Sequence, residues 1–201
     1  MSYKQISLID LLETVGEDTS KRILSTFSCP KSQDVEYYLH EKAVELARHN
    51  DAPTHLIFDT FDGKPILIAY FTITTKSISV TPKLLGLNMR KRLLEYAIYD
   101  RGKQKHILKV SLIAQLGKNF TNNYERRISG DDLLQMACDK IKISQAIIGG
   151  KFAYLECEDV DFLKKFYTYN GFVEFGKRKL EQSEKGLFSS NYLVQLLKFI
   201  D

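Results

Sequence analysis

Apolar positions change period several times along the chain, and each change marks a predicted element. "SLIDLLETV" spaces its leucines and isoleucine as a short helix capped by Ser7. "DTSKRILSTF" repeats that pattern with Asp18 or Thr19 as cap. From Asp34, the residues Val35, Tyr38, Leu39, Ala43, Leu46 and Ala47 recur at helical spacing, and Asn50-Asp51 with Pro53 ends the run. "THLIFDTFDGKPILIAYFTITT" then switches to two strands joined by Asp62-Gly63, a hairpin signal. The second, from about Ile66 to Thr74, has no charged residue and is predicted to be central in its sheet.

Leu84, Leu85, Leu87, Met89, Leu93, Leu94, Ala97 and Ile98 make the next stretch partly helical. "HILKVSLIAQL" reads as a strand and "LGKNFTNNYERRISG" as a polar loop. "DDLLQMACDKIKISQAIIGG" is an amphipathic helix stopped by Gly149-Gly150. "KFAYLECE" is a strand, "DVDFLKKFYTYN" a helix with Gly171 as its left-handed stop, and "FVEFGKR" and "NYLVQLLKFI" are closing strands. No repeat, low-complexity tract or linker interrupts this order. The expectation is one α/β domain over residues 1–201 with a mixed sheet.

Composition narrows the class. At 44% hydrophobic and 27% charged residues, the 201-residue chain has an ordinary globular balance. No apolar run has the length of a membrane helix, and the start lacks a basic segment followed by an apolar stretch. Cys29, Cys138 and Cys157 are odd in number and widely spaced, which suits a reducing cytoplasm rather than a disulfide framework. His40, His49, His55 and His106 are scattered and no Cys/His cluster has ligand spacing, so no metal and no membrane partner is expected. The net charge of +4 is modest but uneven: the 83–105 stretch carries Lys83, Arg90, Lys91, Arg92, Arg101, Lys103 and Lys105 against Glu95 and Asp100. That stretch reads either as a solvated helix or as a set of phosphate contacts to RNA. Only Tyr96 and Tyr99 interleave it, so base stacking is thinly represented.

The chemistry-bearing segments are a strand, a polar loop that opens a helix, and a later strand-helix-turn-strand. Unpaired amides at a helix N-terminus form an anion site. "ERRISGDD" has that layout, with Ser129 adding a hydroxyl, Gly130 allowing close approach, and Arg126 and Arg127 adding charge.

From about Thr54 onward this order resembles the GNAT acyltransferases. In that family a strand leads into a pyrophosphate loop of pattern Gln/Arg-x-x-Gly-x-Gly/Ala and a helix. A second strand follows, then a helix ending in a Leu/Phe-Tyr pair before Gly-Phe. Here "YERRISGDDLLQMA" takes the first place and "FLKKFYTYNGFVEFG" the second, with Phe166-Tyr167, a three-residue spacer and Gly171-Phe172. The loop departs from the pattern. Glu125 stands where the family has Gln or Arg, and Ile128 where it has its first Gly, so that a side chain would crowd an approaching phosphate. "FSCPKSQDVEYYLHEKAVELA" also resembles the opening of the GNAT toxins that acetylate aminoacyl-tRNA, though Phe27 and Cys29 read more readily as core packing. "LIAYFTITTKSIS", the basic stretch and "VSLIAQLGKN" occupy the places of that branch's later strands.

The resemblance implies a GNAT-like α/β fold, with a mixed, mostly antiparallel central sheet flanked by helices on both faces. It implies acetyl-CoA as co-substrate and an amine-bearing acceptor. Amides around Leu116, Gly117 and Lys118 would polarise the thioester carbonyl. The loop amides of Arg126, Arg127, Ile128, Ser129 and Gly130 would hold the pyrophosphate, and Tyr167 would protonate the leaving thiolate. Tyr169 points elsewhere on the helix. No side-chain base stands out; Glu156, Glu158 and Asp159 are candidates, and a water relay would need none of them. The resemblance also raises an antitoxin partner, and an exposed last strand would allow a homodimer. Two other readings stay open: a non-catalytic GNAT-fold binding protein and a nucleic-acid-binding module built on the basic stretch.

Overall fold

The structure, a computed structural model, describes residues 3–184, 186, 188 and 190–201. It opens on β1 (Lys4–Ser7), a four-residue strand too short to show an alternation in sequence. Helix α1 (Leu8–Val15) follows Ser7, whose side chain makes no capping bond. Helix α2 (Glu17–Leu24) begins before its expected caps: Gly16, at φ 79°, precedes it, so Asp18 and Thr19 lie inside. Glu17 and Asp18 then occupy the first turn, where a carboxylate meets the positive helix end. The helix expected from Asp34 is present in three pieces, α3 (Gln33–Tyr37), a π turn over Tyr38–Lys42, and α4 (Ala43–Arg48).

Strands β2 (Thr54–Phe61) and β3 (Lys64–Val80) form the expected hairpin. Asp62 at φ 49° and Gly63 at φ 72° both take the left-handed conformation that a two-residue hairpin turn demands. Strand β3 runs past its expected end at Thr74. The basic stretch supplies helix α5 (Leu87–Tyr96) and a short β4 (Ile98–Asp100), which turns back to pair with β5 (Lys105–Lys118). Then come α6 (Gly130–Ile148), β6 (Phe152–Glu158), α7 (Asp161–Tyr169), β7 (Val173–Lys179) and β8 (Tyr192–Phe199).

Among the described residues the eight strands follow the order β1-β2-β3-β5-β6-β8-β7, with β4 on β5. The β5–β6 pair is parallel; β1–β2, β2–β3, β4–β5, β6–β8 and β7–β8 are antiparallel. This is the expected mixed, mostly antiparallel α/β fold. The uncharged β3 is an inner strand, as predicted. The last strand is not an exposed edge. β8 lies between β6 and β7 and is paired on both sides, so the expected route to a homodimer through β8 is closed.

The chain divides into two compact units, Met1–Thr74 with Ile113–Ala137, and Thr75–Leu112 with Cys138–Asp201. In the first, α1, α2 and α4 bury Leu8, Leu11, Leu24, Ala43 and Ala47 against Leu56, Phe58, Leu67 and Tyr70 of the hairpin. The tightest approach is at Gly117 on β5. A Cβ there would overlap Val35 Cγ1 and stand 3.3 Å from Phe27 and 3.5 Å from Tyr70. Tyr70 donates to the Val35 carbonyl at 2.6 Å, which fixes that approach. The Phe27 ring meets the Tyr70 edge at 5.1 Å.

In the second unit Leu85 and Leu93 from the basic stretch cover Ile78, Val80, Leu108, Val110, Phe152, Tyr154, Phe175 and Leu197. Successive strand residues face opposite ways. Val110 joins this cluster, whereas its neighbour Ser111 bonds Gln145 of α6 at 3.3 Å, so helices cover both faces of β5 here.

Gly117→Ala should destabilise the first unit. Overpacking of this kind costs about 1–3 kcal/mol, or a fall of several degrees in Tm for a chain of this size. Thermal unfolding followed by circular dichroism reads it, with Gly102→Ala, next to an exposed turn, as the control that stays near wild type.

Candidate active site

Leu116, Gly117 and Lys118 are the last three residues of β5, not part of the loop that follows. From there the chain is held by side chains. Asn119 is fully buried and uses every hydrogen-bonding position it has. Its oxygen accepts from the amides of Ser28 and Thr121, each at 3.0 Å, and its nitrogen donates to Thr26 O at 3.1 Å and Leu67 O at 2.8 Å. Asn122 and Asn123, at φ 50° and 58°, turn the chain within a 3-10 segment over Thr121–Arg126. Lys118 then reaches across, its ammonium donating to Glu125 O at 2.9 Å and Ile128 O at 3.2 Å. One cation thereby fixes both ends of the short arc that precedes α6.

The expected obstruction by Ile128 does not arise, because its side chain is 2% exposed and faces the interior. Among the described residues, no acceptor takes the amides of Ile128, Ser129 or Gly130. Ser129 caps α6: its oxygen accepts from the Asp132 amide at 2.9 Å while its hydroxyl donates to Asp132 Oδ2 at 2.7 Å. The two loop arginines differ. Arg127 is committed, with Nη1 2.7 Å from Asp59 Oδ2 and its guanidinium over the Phe61 ring at 4.8 Å. That bond, opposed by partial burial, holds the Asp59 carboxyl below its usual range. Tyr3 donates to the Arg127 carbonyl at 2.8 Å. Arg126 is exposed, 3.6 Å from Glu125 Oε1. Glu125 Oε2 is buried and accepts no bond among the described residues.

Tyr167 belongs to the second unit, on α7. Its place is set by how that helix ends. Gly171, at φ 81°, lets its own amide reach Thr168 O at 3.0 Å and lets the Phe172 amide reach Tyr167 O at 3.0 Å. These are the two bonds of a Schellman stop, and its usual apolar contact joins the Tyr167 and Phe172 rings at 6.0 Å. Phe166 meets Tyr167 edge-on at 4.9 Å. The Phe-Tyr-x-x-x-Gly-Phe spacing therefore encodes the position of one phenol. Burial pushes that phenol well above its usual range, with a smaller contribution from Cys157, so it is protonated at neutral pH. Its hydroxyl bonds no described residue. Tyr169 is 85% exposed.

The expected base candidates are occupied. Glu156 sits in a polar network that joins β3, β6, β7 and β8. Tyr154 donates to its Oε1, Arg178 bonds its Oε2 at 2.6 Å, and Lys76 stands 3.5 Å away. Arg178 also holds Glu184 through two bonds, at 2.6 and 2.7 Å, and Gln195 donates to the Tyr154 hydroxyl at 2.8 Å. Burial opposes ionisation of Glu156, but Arg178, Tyr154 and Lys76 outweigh it and leave the carboxyl below its ordinary 4.5. Asp159 is paired with Lys164 at 2.7 Å and with Lys177, which bring its carboxyl down to about 2. Glu158 is half-buried at the end of β6. This network is illegible in sequence, since its members stand on four strands and a turn.

Lys83, Arg90, Lys91, Arg92, Arg101, Lys103 and Lys105 are all exposed. Arg92 lies over the Phe199 ring at 4.3 Å and 3.7 Å from Asp201; the other six make no ion pair among the described residues. No group of three or more His, Cys, Asp or Glu is gathered as for a metal, and no helix is long and apolar enough to cross a membrane, again among the described residues.

No family model and no curated protein matches the chain by sequence. Solved structures do match its fold. A bacterial toxin is similar over 99% of this chain and 91% of its own, at 17% identity and a TM-score of 0.63. AtaT complexed with acetyl-methionyl-tRNAfMet is similar over 96% and 94%, at 13% identity and 0.61. AtaTR bound with acetyl-CoA covers 96% and 92%, at 14% identity and 0.58. At such identities the likeness is one of fold, the GNAT-toxin fold that the sequence resembles.

Arg178→Ala should leave Glu156 without its main partner, a loss on the order of 3 kcal/mol for a largely buried pair. Glu156 and Glu184 both have carboxyls below the ordinary 4.5. The stability they carry is complete above that value and is lost as pH falls through the depressed folded values. Urea unfolding from pH 7 to pH 3 should show this acid loss in wild type and a flatter profile in Arg178→Ala.

Proposed function

We propose that the whole chain works as one acyltransferase domain, an N-acetyltransferase that moves an acetyl group from acetyl-CoA to a primary amine. The observation that carries the reading is the arc before α6. Among the described residues three successive amides, Ile128 to Gly130, have no acceptor at the start of a nineteen-residue helix, in a fold shared with a protein solved with acetyl-CoA. Amides and helix dipole together favour an anion. Because Arg127 is spent on Asp59, the pyrophosphate is held by backbone, with Arg126 as the one loop arginine open to solvent.

Amides at Leu116–Lys118 polarise the thioester carbonyl, the amine attacks, and the tetrahedral oxyanion collapses with loss of the CoA thiolate. Tyr167 donates the proton that the thiolate takes. A phenol kept protonated by burial, with its hydroxyl unengaged, suits that role. The acceptor we favour is an aminoacyl-tRNA, whose phosphates the six unpaired cations of the basic stretch would meet. AtaT, complexed with acetyl-methionyl-tRNAfMet, is the fold-level precedent. AtaT has also been solved with the C-terminus of the antitoxin AtaR, which makes an antitoxin a reasonable partner to seek. The three free, buried cysteines suit a cytoplasmic setting.

Calorimetry with acetyl-CoA should give micromolar binding by wild type and by Tyr167→Phe alike. Transfer of labelled acetyl to charged tRNA should fall about 10²-fold or more in the variant. No binding at millimolar acetyl-CoA, with RNA affinity retained, would replace this reading with that of a nucleic-acid-binding module.

A further inference from the structure

The donor site proposed above carries an electrostatic problem. The arc that precedes α6 and the first turn of that helix contain three carboxylates, Glu125, Asp131 and Asp132, against two arginines, Arg126 and Arg127. Arg127 is spent on Asp59 at 2.7 Å, and Arg126 stands 3.6 Å from Glu125 Oε1. The side chains of the arc therefore supply little positive charge to a pyrophosphate.

We propose that Lys118 supplies it from behind the arc, as a positioning residue for the donor's pyrophosphate, an inference that rests on the acetyltransferase reading above. Lys118 is half-buried at the end of β5. Its ammonium donates to the Glu125 carbonyl at 2.9 Å and to the Ile128 carbonyl at 3.2 Å. It makes no ion pair among the described residues, so both of its bonds go to neutral groups and its charge stays uncancelled.

The charge acts through the peptide units. In a trans peptide the C=O and the N–H point in opposite directions across one conjugated plane. The Ile128 carbonyl shares its peptide with the Ser129 amide, and the Glu125 carbonyl shares its own with the Arg126 amide. A cation on the carbonyl side draws electron density from the amide side, and the N–H becomes a stronger donor. The Ser129 amide is the middle one of the three assigned to the pyrophosphate, and no acceptor takes it among the described residues. The dipole of α6 favours an anion at the same place, so the two effects add.

The same two bonds prepare the shape. One ammonium on the carbonyls of residues 125 and 128 sets the span of the arc before a ligand arrives, and binding then loses less to ordering. The lysine stem starts from a fixed point. Gly117 is packed against Val35 on one side of it, and Asn119 makes four hydrogen bonds on the other.

The test compares Lys118→Met, which keeps an apolar stem and drops the charge, with Lys118→Arg, which keeps charge and donors. Lys118→Gln, neutral but still a donor, takes the place of the Met variant should that one not fold. Two donors are used for transfer to a pool of aminoacylated tRNAs: acetyl-CoA, and S-acetyl-pantetheine, which lacks the pyrophosphate. By calorimetry the neutral variant should bind acetyl-CoA and CoA about 10-fold or more weakly than wild type. The ratio of kcat/KM for acetyl-CoA to that for S-acetyl-pantetheine should fall by a similar factor, and Lys118→Arg should restore most of both losses. A lysine that only stabilised the fold would weaken both donors together and leave the ratio unmoved. A wild-type Kd in the neutral variant, or an unmoved ratio, would overturn the inference and leave the acetyltransferase reading standing. A fall in kcat with Kd unchanged would overturn it as well, because the ammonium would then act at the thioester. Wild-type protein that binds neither acetyl-CoA nor CoA at millimolar concentration would overturn the acetyltransferase reading and this inference with it.

Discussion

The closeness of one helix to one strand governs the first unit. Val35 rests where a side chain at position 117 would stand, and Gly117 is the residue that permits it. The neighbours of Gly117 in sequence each carry a consequence of that contact. Gln115 holds Asp34, Lys118 holds the carbonyls of Glu125 and Ile128, and Asn119 ties together Thr26, Ser28, Leu67 and Thr121. Four residues of β5 and its exit thus fix both the segment that carries Asp34 and the arc that precedes α6. Each side-chain bond is worth only about 1 kcal/mol net. Their joint effect is geometric, since together they hold the arc at both ends.

The second unit solves a different problem. It holds one tyrosine by a helix stop rather than by a network, the bonds running from Gly171 and Phe172 back to Thr168 and Tyr167. Its charged residues are largely spent on each other, with Arg178 at the centre of Glu156 and Glu184. In the basic stretch Leu85 and Leu93 are buried in the core, while Leu84, Leu87 and Leu94 stay exposed beside its cations. That stretch is therefore both core and surface: two of its leucines help build the unit, and its cations are exposed.

Periodicity made most elements legible. The Asp62-Gly63 turn, the Gly149-Gly150 stop and the Gly171 stop all stand where left-handed backbone is needed. What escaped sequence reading was short or long-range. β1 and β4 have too few residues to show an alternation, and the π turn at Tyr38–Lys42 keeps an apolar spacing close to that of a helix. The last strand looked like an edge because pairing order has no signature in one strand. The loop motif was legible in outline and misleading in detail. Ile128 in place of a glycine suggested a blocked site, and only the folded chain shows its side chain turned inward. The partners of Lys118 and of Asp34 are seven to eighty-one residues away in sequence, beyond any local pattern.

The central claim is that the amides before α6 hold the donor's pyrophosphate. An amide-resolved NMR titration with acetyl-CoA and with CoA tests it most directly. Both ligands should move the Ile128, Ser129 and Gly130 signals together, saturating at one common affinity. Tight binding that leaves those three amides unmoved would contradict the account, because the anion would then sit elsewhere.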